Sequence, residues 1–322
     1  MNKKEILVSV CMITYNHDNY IKEAIEGVLM QKINFPIELI IGEDCSTDNT
    51  RKIVLEYADK YPNIIRPLLP EKNLGMTINF IKTMQEATGK YIALCEGDDY
   101  WTDPYKLQKQ VDFLEANKEY GFIGSKCKIL NMKGDIEDDK TYLPESTSIN
   151  SISLYGNIFD YAKYGPVTRT VTLVFKKVLI SNDLDYIVGD YTLQAILAKR
   201  SKFACLTEVC CVYRKNNGGV SQSKDLNGQL NYAKWYRDNR KMLNHLFPDE
   251  CNFDEKELND NMTYKLMKNS ILNFNFERAL FLKSQLQSNT YRNKKFSLYL
   301  KNKLTFLLLY IYLKTSMGNG NS

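Results

Sequence analysis

The chain opens its pattern with Val8-Ser9-Val10-Cys11-Met12-Ile13-Thr14, a short and nearly unbroken apolar run that predicts a buried strand. A polar loop, Tyr15 to Asn19, follows. Between Tyr20 and Gln31 the apolar residues Ile21, Ala24, Ile25, Val28 and Leu29 recur at helical spacing. Ile37 to Ile41 predicts a second buried strand, then an acceptor-rich loop from Gly42 to Asn49, where Ser46, Thr47 or Asp48 caps a helix running towards Tyr61. Ile64 to Leu69 reads as a third strand, Asn73-Leu74-Gly75 as a turn, and Met76 to Thr88 as a helix stopped by Gly89. Tyr91 to Cys95 is the fourth strand. Strand and helix thus alternate four times, which predicts an α/β fold with a doubly wound, mostly parallel central sheet.

The pattern then loosens. Asp103 and Pro104 fit the cap and first position of a helix with Leu107, Val111 and Leu114 on one face. Phe122 to Leu130 predicts a strand, and the polar stretch from Asn131 to Asn150 a mobile insertion. Strands are expected at 172–175, 203–206 and 209–213, and a helix at 191–199. From Leu226 onwards the chain reads as helical, over 226–247, 255–273 and beyond 277. The boundary falls at residue 222, with a helical C-terminal extension over 223–322. Near the end, Leu304 to Leu313 is almost wholly apolar and flanked by lysines, too short for the roughly 20 residues of a spanning helix. It fits a packed terminal helix or an interfacial anchor, hence a peripheral membrane contact.

Composition narrows the chemistry. With only His17 and His245, a multi-histidine metal site is excluded and a Ser-His-Asp triad disfavoured. The 8 cysteines show no paired CxxC spacing, and the N-terminus leads straight into a strand, so a reduced, cytoplasmic compartment is expected. The net charge of +5 is not gathered into a basic stripe, so no nucleic-acid partner is expected.

Four strand ends converge on one edge of such a sheet, where open parallel sheets bind ligands. They present Thr14 with Asn16, Glu43 with Asp44, Asn73 to Gly75, and Asp98 with Asp99. Adjacent carboxylates repel unless a cation or donors neutralise them, and Mg²⁺ or Mn²⁺ takes oxygen ligands shared with phosphates. The set suits a nucleotide diphosphate: Asp44 to accept the ring N–H of uracil or guanine, Thr14 and Asn16 on base or ribose, Asp99 on the cation, Asp98 on the ribose or sharing the metal. Tyr100 and Trp101 are expected to wall the site.

These segments resemble family 2 glycosyltransferases of the bacterial polysaccharide-assembly type. Ser9 to Asn16 resembles the family's opening motif, Glu43-Asp44-Cys45-Ser46-Thr47-Asp48 its DDxSxD loop, Asn73-Leu74-Gly75 its NxG turn, and Asp98-Asp99 its metal motif. Four motifs in order over about the first 125 residues are specific where one alone is weak. The resemblance implies a GT-A type nucleotide-diphospho-sugar transferase fold over residues 1–222. It implies transfer of a sugar with inversion from a nucleotide-sugar donor, a UDP-sugar favoured, to a hydroxyl of a glycan or lipid-linked acceptor. It places Mn²⁺ or Mg²⁺ on Asp99 and the catalytic base on Asp190, with Asp183 and Asp185 nearby in sequence. Tyr213 to Ser221 resembles a loop that closes over the donor, with Asn216 where that loop carries histidine; Arg214 within it is a candidate phosphate contact or a structural residue. A nucleotidyltransferase would need a basic, glycine-rich loop, which Thr14 to Asn19 lacks. A nucleotide-sugar-binding scaffold without turnover is the alternative from another class.

Overall fold

In the computed structural model the described residues are 5–139, 146–149, 151–163, 165–216 and 226–254. The elements run β1 (Val8–Thr14), α1 (Ile21–Leu29), β2 (Ile37–Glu43), α2 (Thr50–Lys60), β3 (Ile65–Leu68), α3 (Met76–Gln85), β4 (Tyr91–Leu94), β5 (Tyr100–Trp101), α4 (Lys106–Ala116) and β6 (Tyr120–Leu130). They continue with β7 (Ile136–Asp138), β8 (Thr147–Ile149), β9 (Ile152–Gly156), α5 (Phe159–Ala162), β10 (Val174–Lys176), α6 (Asp190–Arg200), β11 (Lys202–Arg214) and α7 (Leu226–Leu246). Two compact units divide the chain, residues 1–222 and 223–322. In the second, α7 buries Leu243, and Asn244 ties its end to the Phe253 backbone. The helices expected beyond residue 255 and the apolar run at 304–313 lie outside the described residues. Among the described residues no helix is long and apolar enough to cross a membrane.

The sheet order is β3-β2-β1-β4-β10-β6-β11-β9-β8, with β5 paired to β11 and β7 to β6. Strands β3, β2, β1 and β4 pair in parallel. β10 is antiparallel to both β4 and β6, and β11 is parallel to β6. Strands β1 to β4, β6 and β11 therefore share one direction, so the sheet is mixed but mostly parallel. One consequence sets the site: the carboxyl ends of β1, β2, β4 and β11 all open on the same edge. Val8, Val10, Met12, Leu39, Ile41, Tyr91 and Ala93 are buried in one core with Ile21, Ala24, Ile25 and Val28 of α1, as their spacing predicted.

Four expectations are corrected. Residues 203–213 form one strand rather than two; the polar Thr207-Glu208 pair falls where the register with β6 shifts, between Leu206 and Val209. The stretch after Asn131 is not wholly irregular, since Ile136–Asp138 folds back on β6 through a turn in which Asn131 Oδ1 accepts the Lys133 and Asp135 amides. The strand expected at 172–175 begins later, at Val174, because residues 170–172 form a 3₁₀ turn ahead of it. Helix α4 starts at Lys106, and Asp103 Oδ1 accepts the Tyr105 amide at 2.9 Å instead of capping from the adjacent position.

Candidate active site

The acid loop is built by pairing. β5 lies antiparallel on β11, with Cys211 opposite Trp101 and Val212 opposite Tyr100. This sets the Arg214 amide 2.7 Å from Asp99 Oδ1. Asp99 is only 1% exposed, and burial, with Asp98 and Glu96 beside it, pushes its pKa well up. The Asp98 side chain keeps 20% exposure, and its Oδ2 accepts the Asn216 amide at 2.7 Å. His17 Nε2 stands 3.9 Å from the same oxygen.

Gly97 separates Glu96 from Asp98 because no larger residue fits. A Cβ there would meet Thr14 Oγ1 at 2.6 Å and Thr14 Cβ at 2.7 Å. Thr14 sits at the end of a central strand and cannot yield, so Gly97→Ala is expected to lower stability by about 1–3 kcal/mol, read as a denaturant midpoint.

Glu96 is a site residue the sequence reading passed over. Burial, then the charges of Asp98 and Asp190, push its pKa up to about 8. Asp190 opens α6, and the Thr170 hydroxyl lies 3.4 Å from its Oδ2. Its pKa is raised too, chiefly by burial, although hydrogen bonds from the Tyr191 amide and Thr170 and the nearby Arg169 charge pull it down. The helix-end position therefore does not keep this acid at an ordinary value, as the dipole alone would suggest. Asp183 is held elsewhere, paired with Arg200.

The other expected residues form a second group. Asp44, 2% exposed, accepts the Leu74 amide at 2.7 Å and the Gly75 amide at 2.9 Å, one on each carboxylate oxygen. Asn73 Nδ2 returns to the Asp44 carbonyl at 2.9 Å. Gly75 sits at φ +84°, which only glycine adopts freely, and leads into α3. Asn16 takes φ +55°, and its Oδ1 accepts the Thr47 amide at 2.8 Å. The loops after β1 and β2 are thus locked together.

Two expected residues have their side chains engaged within the protein rather than turned to a ligand. Trp101 is 2% exposed, its indole N–H donates to the Val171 carbonyl at 2.8 Å, and the Lys106 ammonium lies 4.2 Å from its ring. It is a core residue under the acid loop, because a two-residue strand pairing turns it inward, and it cannot stack on a sugar. Arg214 is 11% exposed at its side chain. Its guanidinium donates to the Asp98 carbonyl at 2.8 Å and to Glu23 at 2.6 Å, between the rings of Tyr20 and Tyr100. These contacts use it to clamp the acid loop to α1 rather than to face a phosphate.

Buried side-chain atoms without a partner point to where a ligand belongs, since each costs about 1–3 kcal/mol if left so. Thr14 Oγ1, His17 Nδ1, Glu96 Oε2 and Asn216 Oδ1 are such atoms. Thr14, Glu96 and Asn216 border or touch Gly97-Asp98, and His17 faces Asp98. Three carboxyls with raised pKa and these unpaired atoms fit a divalent cation with oxygen-rich ligands. Among the described residues the tightest three-ligand group is instead Asp103, Glu208 and Cys210, but the Lys109 ammonium already bridges its two acids.

The comparisons with known proteins meet this geometry. The model of the glycosyl transferase family 2 matches residues 9–179. The chain belongs to that family. It is 34% identical over 218 residues to an uncharacterised Mycobacterium tuberculosis protein, covering 67% of this chain and 61% of that one. It is 35% identical over 141 residues, 44% of this chain and 54% of the other, to the putative teichuronic acid biosynthesis glycosyltransferase TuaG of Bacillus subtilis. The chain therefore spans less than two thirds of these relatives. Among solved structures, S. aureus TarS in complex with UDP-GlcNAc aligns with TM-score 0.56 and 17% identity, over 82% of this chain and 72% of that one. A Pyrobaculum calidifontis mannosyltransferase in complex with GDP-Man and Mn²⁺ aligns with TM-score 0.52 and 14% identity, over 98% and 84%. The fold is GT-A type, as the motifs implied.

Proposed function

We propose that this family 2 member transfers a sugar, with inversion, from a nucleotide diphosphate donor to a hydroxyl of a glycan or lipid-linked acceptor in cell-surface polysaccharide synthesis. The observation that carries the reading is the gathering of Glu96, Asp98 and Asp190 at one sheet edge, with burial and mutual repulsion raising Glu96. The named relatives add support: TuaG is named for teichuronic acid synthesis, and the aligned structures hold UDP-GlcNAc or GDP-Man. A UDP- or GDP-sugar fits as donor, since the Asp44 carboxylate offers only acceptor lone pairs and suits a base with a ring N–H, as uracil and guanine both have.

Mn²⁺ or Mg²⁺ belongs at the acid loop, where it would supply Lewis-acid neutralisation of the departing diphosphate. Asp98 is the principal protein ligand in this reading, because its carboxylate is the more exposed of the pair while Asp99 is buried against the Arg214 amide. Asp190 takes the acceptor's proton. Its raised proton affinity suits that work, as a base is most effective when its pKa approaches the working pH. The acid limb of the transfer rate should accordingly lie above the ordinary carboxylate range.

The test is donor turnover. With Mn²⁺ and a panel of UDP- and GDP-sugars, the protein should release nucleoside diphosphate slowly without acceptor and faster with one. A scaffold would bind and release none. A second check reads stability. The raised carboxyls bind protons more tightly folded than unfolded, so their contribution is present below the unfolded values of about 4 and is lost as pH rises. For Glu96 the loss runs up to about 8. The thermal midpoint of metal-free protein should fall between pH 5 and 8, and Mn²⁺ with UDP should remove most of the fall. A flat metal-free profile would mean the acids are not coupled in solution.

A further inference from the structure

We propose that His17 is a ligand of the same cation, beside Asp98. This deepens the reading above and rests on the acid loop holding a divalent ion. His17 follows Asn16, whose left-handed turn and bond to Thr47 fix the start of the loop. The His17 amide donates to Thr50 Oγ1 at 2.7 Å, and its carbonyl accepts the Tyr20 and Ile21 amides at 2.8 Å each. Its backbone is therefore anchored on both sides, and its ring meets the edge of Tyr20.

The side chain is less settled. Nε2 lies 3.9 Å from Asp98 Oδ2, too far for a hydrogen bond, and Nδ1 is buried without a partner. Two ligand atoms at roughly 2.1 Å from one octahedral ion lie about 3.0 Å apart when cis and about 4.2 Å when trans, so a side-chain shift of under about 1 Å brings this pair onto one cation. The shared oxygen also accepts the amide of Asn216, a residue that is 8% exposed and leaves its own Oδ1 unpaired. The carboxylate is thus oriented by a residue that does not fill its remaining lone pairs. The nearby guanidiniums are engaged: Arg214 with Glu23, Arg51 with Glu43, Arg169 with Asp139. With Nε2 on the ion, the proton sits on Nδ1.

An imidazole ligand shifts preference from Mg²⁺ towards Mn²⁺, since nitrogen ligands suit the softer ion better. Pulsed electron paramagnetic resonance of full-length protein with Mn²⁺ and UDP tests this directly. Nitrogen-14 modulation from a coordinated imidazole should appear in the wild type and vanish in His17→Phe and His17→Asn. Mn²⁺ affinity in the presence of UDP should fall at least about 10-fold in both, the lower end of what losing even an outer partner costs. The loss for Mg²⁺ should be smaller. Unchanged thermal midpoints without metal show that the variants fold. Mn²⁺ bound by the wild type without nitrogen modulation, or modulation surviving in the variants, overturns the role of His17 alone. A wild type that binds no Mn²⁺ with UDP overturns the cation reading itself.

Discussion

Asp190→Asn is expected to slow sugar transfer by roughly 10²-fold to 10⁴-fold, the range for losing one general base. Asparagine keeps the size of the side chain and its ability to accept from the Thr170 hydroxyl and the Tyr191 amide, so α6 should still start at this residue. What disappears is the carboxylate that takes the acceptor's proton. Calorimetry of UDP-sugar binding with Mn²⁺ should give near wild-type affinity, while the transfer assay on the same preparation shows the loss. The variant also tests the electrostatics. Asp190 is among the charges that raise Glu96, so its neutralisation should lower the Glu96 pKa and flatten the pH dependence of stability. Transfer at the wild-type rate would take the base role from Asp190, and Asp185 would follow as the next candidate, because Asp183 is paired with Arg200. Loss of donor binding would instead make Asp190 a donor contact.

The parts of the molecule that were legible in the sequence are those governed by short-range periodicity. The run from Val8 to Thr14 and the stripe Ile21, Ala24, Ile25 and Val28 bury the same face that they predict, because a strand and its following helix must cover each other. The positions of Asp44, Asn73 and Gly75 along the chain show that three segments carry polar groups, but not that Asp44 accepts the amides of the turn beyond it. Trp101 and Arg214 were misplaced for one reason. Their environment is set by the pairing of β5 with β11, which joins residues more than 100 positions apart and has no local signature. Glu96 was missed because its importance lies in burial and in like charges nearby, although its place two residues before Asp98 was a signal. The order of exposure within Asp98-Asp99 is likewise a tertiary fact.

That order yields the sharpest comparison. Asp98→Asn should weaken Mn²⁺-dependent UDP binding by more than about 100-fold, beyond the 10- to 100-fold typical of outer-shell losses, and transfer should fall with it. An amide is a poor ligand for a hard cation, and Asn216 would then face another amide rather than a carboxylate. Asp99→Asn should behave differently. Burial and the charges of Asp98 and Glu96 favour the protonated form of Asp99, and an amide is close in shape and charge to a protonated acid. Its oxygen can still accept the Arg214 amide, so the pairing of the acid loop with β11 should persist. The expected result is a smaller loss of affinity and a metal-free thermal midpoint at or above that of the wild type at pH 8, where an ionised buried acid costs most. Calorimetry of both variants with and without Mn²⁺ ranks them. The reverse ranking, with Asp99→Asn losing the ion and Asp98→Asn retaining it, would return the metal to Asp99 and leave Asp98 on the ribose.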